Sequence, residues 1–150
     1  MKLNNKIVLV TGASKGIGGA TAIALAKEGC SLVINFKSDN ESAQKVLDEC
    51  NRHSKGNIIF RADVSNEKEV LEMCKKIKQQ FSHLDIVVNN AGIFDENDNP
   101  TNIKSFENIF RNNHHPLFNS IFLAFINPHF LGHSHHSGLH KTPLSWQGRA

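Results

Sequence analysis

The sequence contains no tyrosine, and it has only three cysteines, four prolines and one tryptophan among its 150 residues. The absence of tyrosine excludes any reaction in which a phenol donates or accepts the proton. Cys30, Cys50 and Cys74 are odd in number and widely spaced, which argues against a disulfide framework and against a cysteine-based metal site. We expect them to be reduced thiols in the core of a cytoplasmic protein.

Long apolar runs and a strong charge of either sign are also missing. No apolar run approaches the length that spans a membrane, so we expect no membrane partner. The formal net charge of +3 is too small to indicate nucleic-acid binding. The first predicted strand begins at Lys6, which leaves no room before it for a secretory signal. The chain is long enough for one domain with a real core.

The most informative stretch is a strand followed by a glycine-rich turn and a helix. Residues 7–10 (Ile-Val-Leu-Val) are apolar and mostly β-branched, which is typical of a strand buried on both faces. Gly12, Gly16 and Gly18 follow, and an alanine-rich helix is predicted over 17–28. This order places free backbone N–H groups against a phosphate. A tight turn without a ligand is the weaker alternative.

The alternation of strand and helix continues along the first part of the chain. Further short apolar strands are predicted over 32–36, 57–61 and 84–88, with amphipathic helices between them. We expect Ser38 and Ser65 to cap the second and third helices. Strands alternating with helices indicate right-handed crossovers on a parallel sheet. The expected class is α/β, a doubly wound parallel sheet truncated after about the fourth strand.

The last third of the chain has a different composition. From Thr101 onward the only acidic residue is Glu107, and seven of the nine histidines fall in 114–150. Prolines and glycines interrupt that segment, so no regular element is predicted there. We divide the chain into a nucleotide-binding part, 1–113, and an irregular His/Pro-rich tail, either disordered or translated out of frame. The clustered histidines lack acidic neighbours and a rigid element, so we expect no functional metal site.

Three motifs in the first part resemble those of the short-chain dehydrogenase/reductase family, most closely its 3-oxoacyl-carrier-protein-reductase-like members. They are Thr11-Gly12-Ala13-Ser14-Lys15-Gly16-Ile17-Gly18, Asp63-Val64 and Asn89-Asn90-Ala91-Gly92. The resemblance implies a Rossmann-like fold with a nicotinamide dinucleotide across the carboxyl ends of the strands. It implies that the glycine turn holds the pyrophosphate, through Gly12, Ser14, Lys15, Gly16, Ile17 and Gly18.

The same resemblance implies roles for the two later motifs. Asp63 and Val64 would contact the adenine, and Asn90 with Gly92 would hold the nicotinamide ribose, with Ala91 between them in the site. An aspartate at a strand end can also cap the following helix, and this alternative role for Asp63 stays open.

The end of the second predicted strand bears on which dinucleotide is bound. Folds that select NAD place a carboxylate there to bind the ribose 2′-OH, whereas this sequence has Asn35, Phe36 and Lys37. Lys37 can pair with a 2′-phosphate, and Lys15 adds a second positive charge on the same side. NADP(H) is therefore favoured over NAD(H). The alternative is that both lysines are solvated surface groups.

The catalytic part of the resemblance is incomplete in this chain. In the family, a Tyr moves the proton at the substrate oxygen and a Lys four residues later lowers its pKa. A Ser binds the substrate oxygen, and an Asn supports a water relay. Only the Asn has a candidate here, Asn113, which follows Phe106 and Glu107 and precedes Phe118 at the family spacing. A polar residue at a helix end is an equally good interpretation of Asn113.

The resemblance implies NADP(H)-dependent hydride transfer between a carbonyl and an alcohol, as in the reduction of a 3-oxoacyl thioester. Because tyrosine is absent, we expect the chain as given to be inactive. A non-catalytic dinucleotide-binding fragment and a non-functional truncated product are the alternatives. The implied partners are a dinucleotide and, in the full-length family form, a small carbonyl or alcohol substrate. Family members form homo-oligomers, and we expect that interface to be missing here.

Overall fold

The computed structural model describes residues 3–92, which form a four-stranded parallel sheet flanked by three helices. In chain order the elements are β1 (Ile7–Val10), α1 (Gly16–Lys27), β2 (Ser31–Phe36), α2 (Asn40–Asn51), β3 (Ile58–Arg61), α3 (Glu67–Phe81) and β4 (Ile86–Val88). The strands lie in the order β3-β2-β1-β4, and every adjacent pair is parallel. The predicted Rossmann-like α/β fold is confirmed. The predictions for Asn113 and for 114–150 lie outside the described residues.

Helices cover both faces of the sheet. Successive residues of β1 point to opposite faces, so Val8 and Val10 pack against α1 and α2 whereas Leu9 packs against α3. The first cluster consists of Val8, Val10, Ala13, Ala22, Ala26, Cys30, Leu32, Ile34, Val46 and Cys50. The second consists of Leu9, Val33, Ala62, Val70, Met73, Cys74 and Ile77. Burial on both faces explains why β1 and residues 32–34 of β2 are continuously apolar rather than alternating.

The helix α1 ends at Lys27, one residue before the end of the predicted helix, and Gly29 turns the chain after it. Gly29 N donates to Ala26 O at 2.9 Å, and Cys30 N donates to Leu25 O at 3.1 Å. These two bonds form a Schellman motif, which satisfies carbonyl groups that the helix itself leaves unpaired. The motif turns the chain directly from α1 into β2.

The cap of α2 differs from the sequence prediction. Asp39 rather than Ser38 is the N-cap, and its Oδ1 accepts a hydrogen bond from Ser42 N at 3.0 Å. Aspartate caps at least as well as serine, and its charge is additionally stabilised by the positive end of the helix dipole. The helix therefore begins one residue later than a cap at Ser38 would place it.

The cap of α3 is also one residue later than predicted. Asn66 is the N-cap, and its Oδ1 accepts from Lys68 N at 3.1 Å. Ser65 donates instead to Asp63 Oδ1, from its N at 2.9 Å and from its Oγ at 2.6 Å. Ser65 is held back towards the end of β3 by these two bonds, which leaves the capping position to Asn66.

Three strands begin later than predicted, β1 at Ile7, β3 at Ile58 and β4 at Ile86. Just before β3 and β4, a side-chain oxygen accepts a hydrogen bond from a backbone amide of the neighbouring strand. Asn57 Oδ1 accepts from Leu32 N at 2.9 Å, and β3 starts at the next residue. Asp85 Oδ2 accepts from Ile7 N at 2.8 Å, directly before β4.

Within residues 3–92, no helix combines the length and the apolar character needed to cross a membrane.

Candidate functional site

The segments that follow the four strands surround one cleft at the carboxyl edge of the sheet. Parallel strands bring these segments together, because all of their carboxyl ends lie at the same edge. The predicted cofactor residues that line the cleft are Gly12, Ser14, Lys15, Lys37, Asp63, Val64, Asn90, Ala91 and Gly92. The cleft is also lined by residues that were not predicted to bind the cofactor, namely Asn35, Ser38, Asp39, Ala62 and Ser65. Gly16, Ile17 and Gly18 are not among the lining residues, since they form the first turn of α1 beside the cleft.

The glycine turn lies against the segment that follows β4. Gly12 has a φ of +61°, and a Cβ there would lie 2.9 Å from Ala91 Cα. A Cβ at Gly18 would lie 2.7 Å from Gly12 O and would collide with Asn90 Nδ2. Positive φ and this close approach both require glycine at position 12, and the close approach alone requires it at position 18.

Hydrogen bonds between Thr11 and Asn90 hold the turn in place. Thr11 is fully buried, and its Oγ1 accepts from Asn90 N and Ala91 N, both at 3.0 Å. Asn90 Nδ2 donates to Thr11 O at 2.9 Å and to Gly12 O at 3.1 Å. These contacts make Asn90 a structural brace of the turn as well as a residue of the cleft. Thr11 was not predicted to have a function of its own, because it was identified only as the first residue of the glycine motif. Its partners Asn90 and Ala91 are far from it in the sequence.

Asn35 joins the ends of three strands from inside the sheet. Its side chain is 1% exposed. Its Oδ1 accepts from Gly12 N at 3.3 Å, and its Nδ2 donates to Phe60 O at 3.3 Å and to Ala62 O at 3.0 Å. Its backbone O accepts from Ala13 N at 2.8 Å. The sequence signal was available: Asn35 is a polar side chain inside an otherwise apolar buried strand, and such a group needs partners.

The amino end of α1 has a geometry that fits a phosphate. Lys15 is the N-cap and makes no side-chain capping bond, and the first turn contains no acidic residue. The first intrahelical bond runs from Gly19 N to Lys15 O at 3.2 Å, so the amides of the preceding helical residues have no intrahelical partner. The space beside Gly16 is open, since a Cβ built there would have no neighbouring atom within 4 Å. A pyrophosphate would satisfy these amides and match the helix dipole, so the residues present fit a dinucleotide.

Two ion pairs place opposite charges side by side on the cleft. Lys37 Nζ lies 2.7 Å from Asp63 Oδ2, and Lys15 Nζ lies 3.5 Å from Asp39 Oδ2. Partial burial raises the pKa of Asp63, but hydrogen bonds from Lys37 and Ser65 outweigh it and lower the pKa to about 2. The hydrogen bond from the Ser42 amide lowers the pKa of Asp39. Both carboxylates are therefore ionised at neutral pH.

The cysteines lie away from this chemistry. All three are free and buried, as predicted. Burial raises the pKa of the Cys50 thiol to about 11 and that of Cys74 to about 12, so neither is a thiolate at neutral pH. Across residues 3–92, no group of three or more His, Cys, Asp or Glu side chains is arranged to hold a metal ion.

The sequence is similar to reductases of fungi and bacteria. It is 44% identical over 90 residues to the hydroxynaphthalene reductase-like protein Arp2 of Metarhizium anisopliae, which covers 60% of this chain and 34% of that protein. It is 40% identical over 92 residues to versicolorin reductase stcU of Emericella nidulans, covering 61% and 35% of the two chains. It is 40% identical over 93 residues to the 3-oxoacyl-[acyl-carrier-protein] reductase FabG of Staphylococcus epidermidis, covering 62% and 38%. The matched part thus spans about a third of the length of these relatives.

The family model described as short chain dehydrogenase matches residues 6–136, which is most of the chain. Its members are oxidoreductases that use an NAD(P) dinucleotide and a small substrate, which agrees with the phosphate-binding geometry of the cleft. The matched range continues beyond residue 113, where we placed the domain boundary from the sequence, and that boundary stays a prediction. The chain belongs to the short chain dehydrogenase family.

Proposed function

We propose that this chain binds NADP(H) in the cleft at the carboxyl edge of the sheet. The observation that carries the proposal is the uncapped amino end of α1, which lies beside a turn packed closely enough to require glycine at Gly12 and Gly18. The backbone amides of that turn would hold the pyrophosphate. Lys15 and Lys37, both lining the cleft, favour the dinucleotide that carries an additional phosphate.

The remaining cleft residues have positions suited to the two ends of the dinucleotide. Asp63 and Val64 follow β3 and would contact the adenine, whereas Asn90, Ala91 and Gly92 follow β4 and would lie at the nicotinamide ribose. The bound nicotinamide supplies hydride chemistry. The protein orients it, because Asn90 is fixed by two hydrogen bonds to the glycine turn. A fixed partner lowers the entropic cost of positioning the ribose.

The reaction class that we propose for the full protein is the reduction of a carbonyl to an alcohol, in the cytoplasm. The names of the similar proteins support it, since all three are reductases or reductase-like. Within this chain we propose no turnover, because no tyrosine is present to exchange the proton with the substrate oxygen. Asn113 is our candidate for the family's relay asparagine.

Binding and turnover are tested separately. Titration of the purified chain with NADPH, followed by nucleotide fluorescence, should show saturable binding at micromolar protein concentration. A folded chain that leaves the fluorescence unchanged would refute dinucleotide binding. An assay with NADPH and a 3-oxoacyl thioester should show no oxidation above background, and a rate of about 1 per second or more would refute the proposed inactivity.

A non-catalytic dinucleotide-binding module is the second candidate. Two observations favour it. The phosphate-binding geometry lies entirely within residues 3–92, and the tyrosine that serves as the family's proton donor is absent from the sequence. Binding without turnover is the expected result for this candidate. Absence of both would favour the third interpretation, a product without function.

A further inference from the structure

The segment that follows β3 is held by one side chain of α3. Ala62 N donates to Phe36 O at 2.9 Å. The next amide, that of Asp63, therefore points away from β2, because successive amides of an extended chain face opposite sides. β3 is an edge strand of the sheet formed by residues 3–92, so no strand there is placed to accept this hydrogen bond. Glu69 Oε2 accepts it instead, at 2.7 Å, and so satisfies an amide that the sheet leaves unpaired.

Glu69 occupies the capping-box position of α3, but its carboxylate reaches further than a capping box requires. Asn66 is the N-cap, so Glu69 is the third helical residue, which in a capping box accepts from the N-cap amide. Here Asn66 N donates to Asp63 O at 2.9 Å. The carboxylate is thus available for Asp63 N, and its Oε1 accepts from Asn66 Nδ2 at 2.8 Å. Glu69 therefore fastens both ends of the turn at residues 63–66 to the first turn of α3.

This turn places Asp63 in the wall of the cleft, whereas Glu69 is not among the lining residues. An ionised carboxylate offers about four acceptor positions. Asp63 Oδ1 accepts from Ser65 N and Ser65 Oγ, and Oδ2 pairs with Lys37 Nζ. An acceptor position is left for a donor within the cleft. The exocyclic amino group of adenine is such a donor.

We propose, resting on the proposed function, that Glu69 is a positioning residue for adenine recognition, acting through the Asp63 amide without touching the dinucleotide. Without this bond, the amide would have to turn towards water or another acceptor. Such a turn would move the Asp63 carboxylate, and hydrogen bonds weaken steeply when their geometry is disturbed. The bond from α3 thus determines how strongly the cleft distinguishes adenine from another purine.

Four variants separate the acceptor from the charge and from the helix end. Glu69→Ala removes the acceptor, and Glu69→Met removes it while keeping a side chain of similar length, so that one can replace the other should either fail to fold. Glu69→Gln keeps an oxygen for Asp63 N and deletes only the charge. Glu67→Ala is the matched control, because Glu67 is an exposed glutamate of the same first turn of α3. It removes the same charge near the same helix end and leaves the Glu69 bond in place.

The test measures two dissociation constants by fluorescence titration of the full chain, one for NADPH and one for its analogue in which hypoxanthine replaces adenine. Hypoxanthine presents a carbonyl oxygen in place of the amino group, so the wild type should bind the analogue more weakly, on the order of tenfold. In Glu69→Ala and Glu69→Met this ratio should fall to about one or two, because NADPH loses the contact that the analogue never makes. Glu69→Gln and Glu67→Ala should stay within about twofold of the wild-type ratio.

The ratio does not respond to a general loss of stability, because an unfolded fraction lowers both affinities equally. Thermal unfolding by circular dichroism establishes which variants are folded. If the folded wild type binds neither dinucleotide, the proposed function fails and the inference fails with it. If both bind but the wild-type ratio is one, or if the ratio is unchanged in Glu69→Ala and Glu69→Met, the inference alone is wrong. It is also wrong if Glu69→Gln or Glu67→Ala lowers the ratio as far, since charge rather than the bond to Asp63 would then be responsible.

Discussion

Replacement of Asn35 by leucine should destabilise the fold by about 2–4 kcal/mol. The side chain is 1% exposed and makes hydrogen bonds to Gly12 N, Phe60 O and Ala62 O. Leucine has a similar volume, so the change leaves no large cavity, but it removes the partner of several buried polar groups. Each buried group left unsatisfied costs about 1–3 kcal/mol, and the added apolar burial offsets part of the sum.

A loss of this size is a large part of the stability of a domain, which is typically about 5–15 kcal/mol. The measurement is urea unfolding followed by far-ultraviolet circular dichroism, with the slope checked against the wild type. Asn89→Ala is the control, because Asn89 also follows a strand but is exposed, and it should change stability by no more than about 0.5 kcal/mol. If Asn35→Leu were as stable as this control, the hydrogen bonds of Asn35 would not be what holds the three strand ends together.

Three further predictions follow from the same geometry. Gly12→Ala should lose about 1–3 kcal/mol of stability in thermal unfolding and weaken NADPH binding, because φ is +61° and the new Cβ would lie 2.9 Å from Ala91 Cα. An unchanged melting temperature would contradict this. The Lys37 and Ser65 bonds lower the pKa of Asp63 from its ordinary 3.8 to about 2 against the effect of burial, so its stabilisation is complete above pH 3.8 and lost as the pH falls through 2. The advantage over Asp63→Asn, about 1 kcal/mol after allowance for exposure, should therefore decline across that window in acid unfolding, and an advantage as large at pH 2 as at pH 5 would refute the assignment. A thiol reagent should modify the folded protein roughly 100-fold more slowly than the urea-unfolded chain, because all three cysteines are buried. Equal rates would show that they are accessible.

The elements that the sequence predicted well are those whose signal is local. The apolar runs of β1 and β2 identified strands buried on both faces, and the helix periodicity between them identified the crossovers. Boundaries were less accurate where two neighbouring polar residues could serve the same purpose. Ser38 and Asp39 are both acceptable caps, and the choice depends on which side chain reaches the Ser42 amide once the helix has been positioned by its packing. The apolar pattern carries no information about that choice.

The contacts that define the cleft could not be predicted, because they join residues far apart in the sequence. Lys37 and Asp63 form an ion pair between the ends of two strands, and this pairing depends on the register of the sheet. Lys37 was predicted to be available for a phosphate and Asp63 for an adenine, but the structure joins them to each other. The polar character of Asn35 was visible in the sequence, whereas its partners after β1 and at the end of β3 were not.

The structural supports of the cleft are separate from the groups that would perform the reaction. Thr11, Asn35 and Asn90 hold the glycine turn through hydrogen bonds confined to the described residues. None of these bonds depends on a tyrosine, and a phosphate at α1 requires only backbone amides and positive charge. Loss of the proton donor should therefore remove turnover without weakening dinucleotide binding through the turn. For this chain, dinucleotide binding is therefore a more informative measurement than turnover, because binding depends on residues that are present.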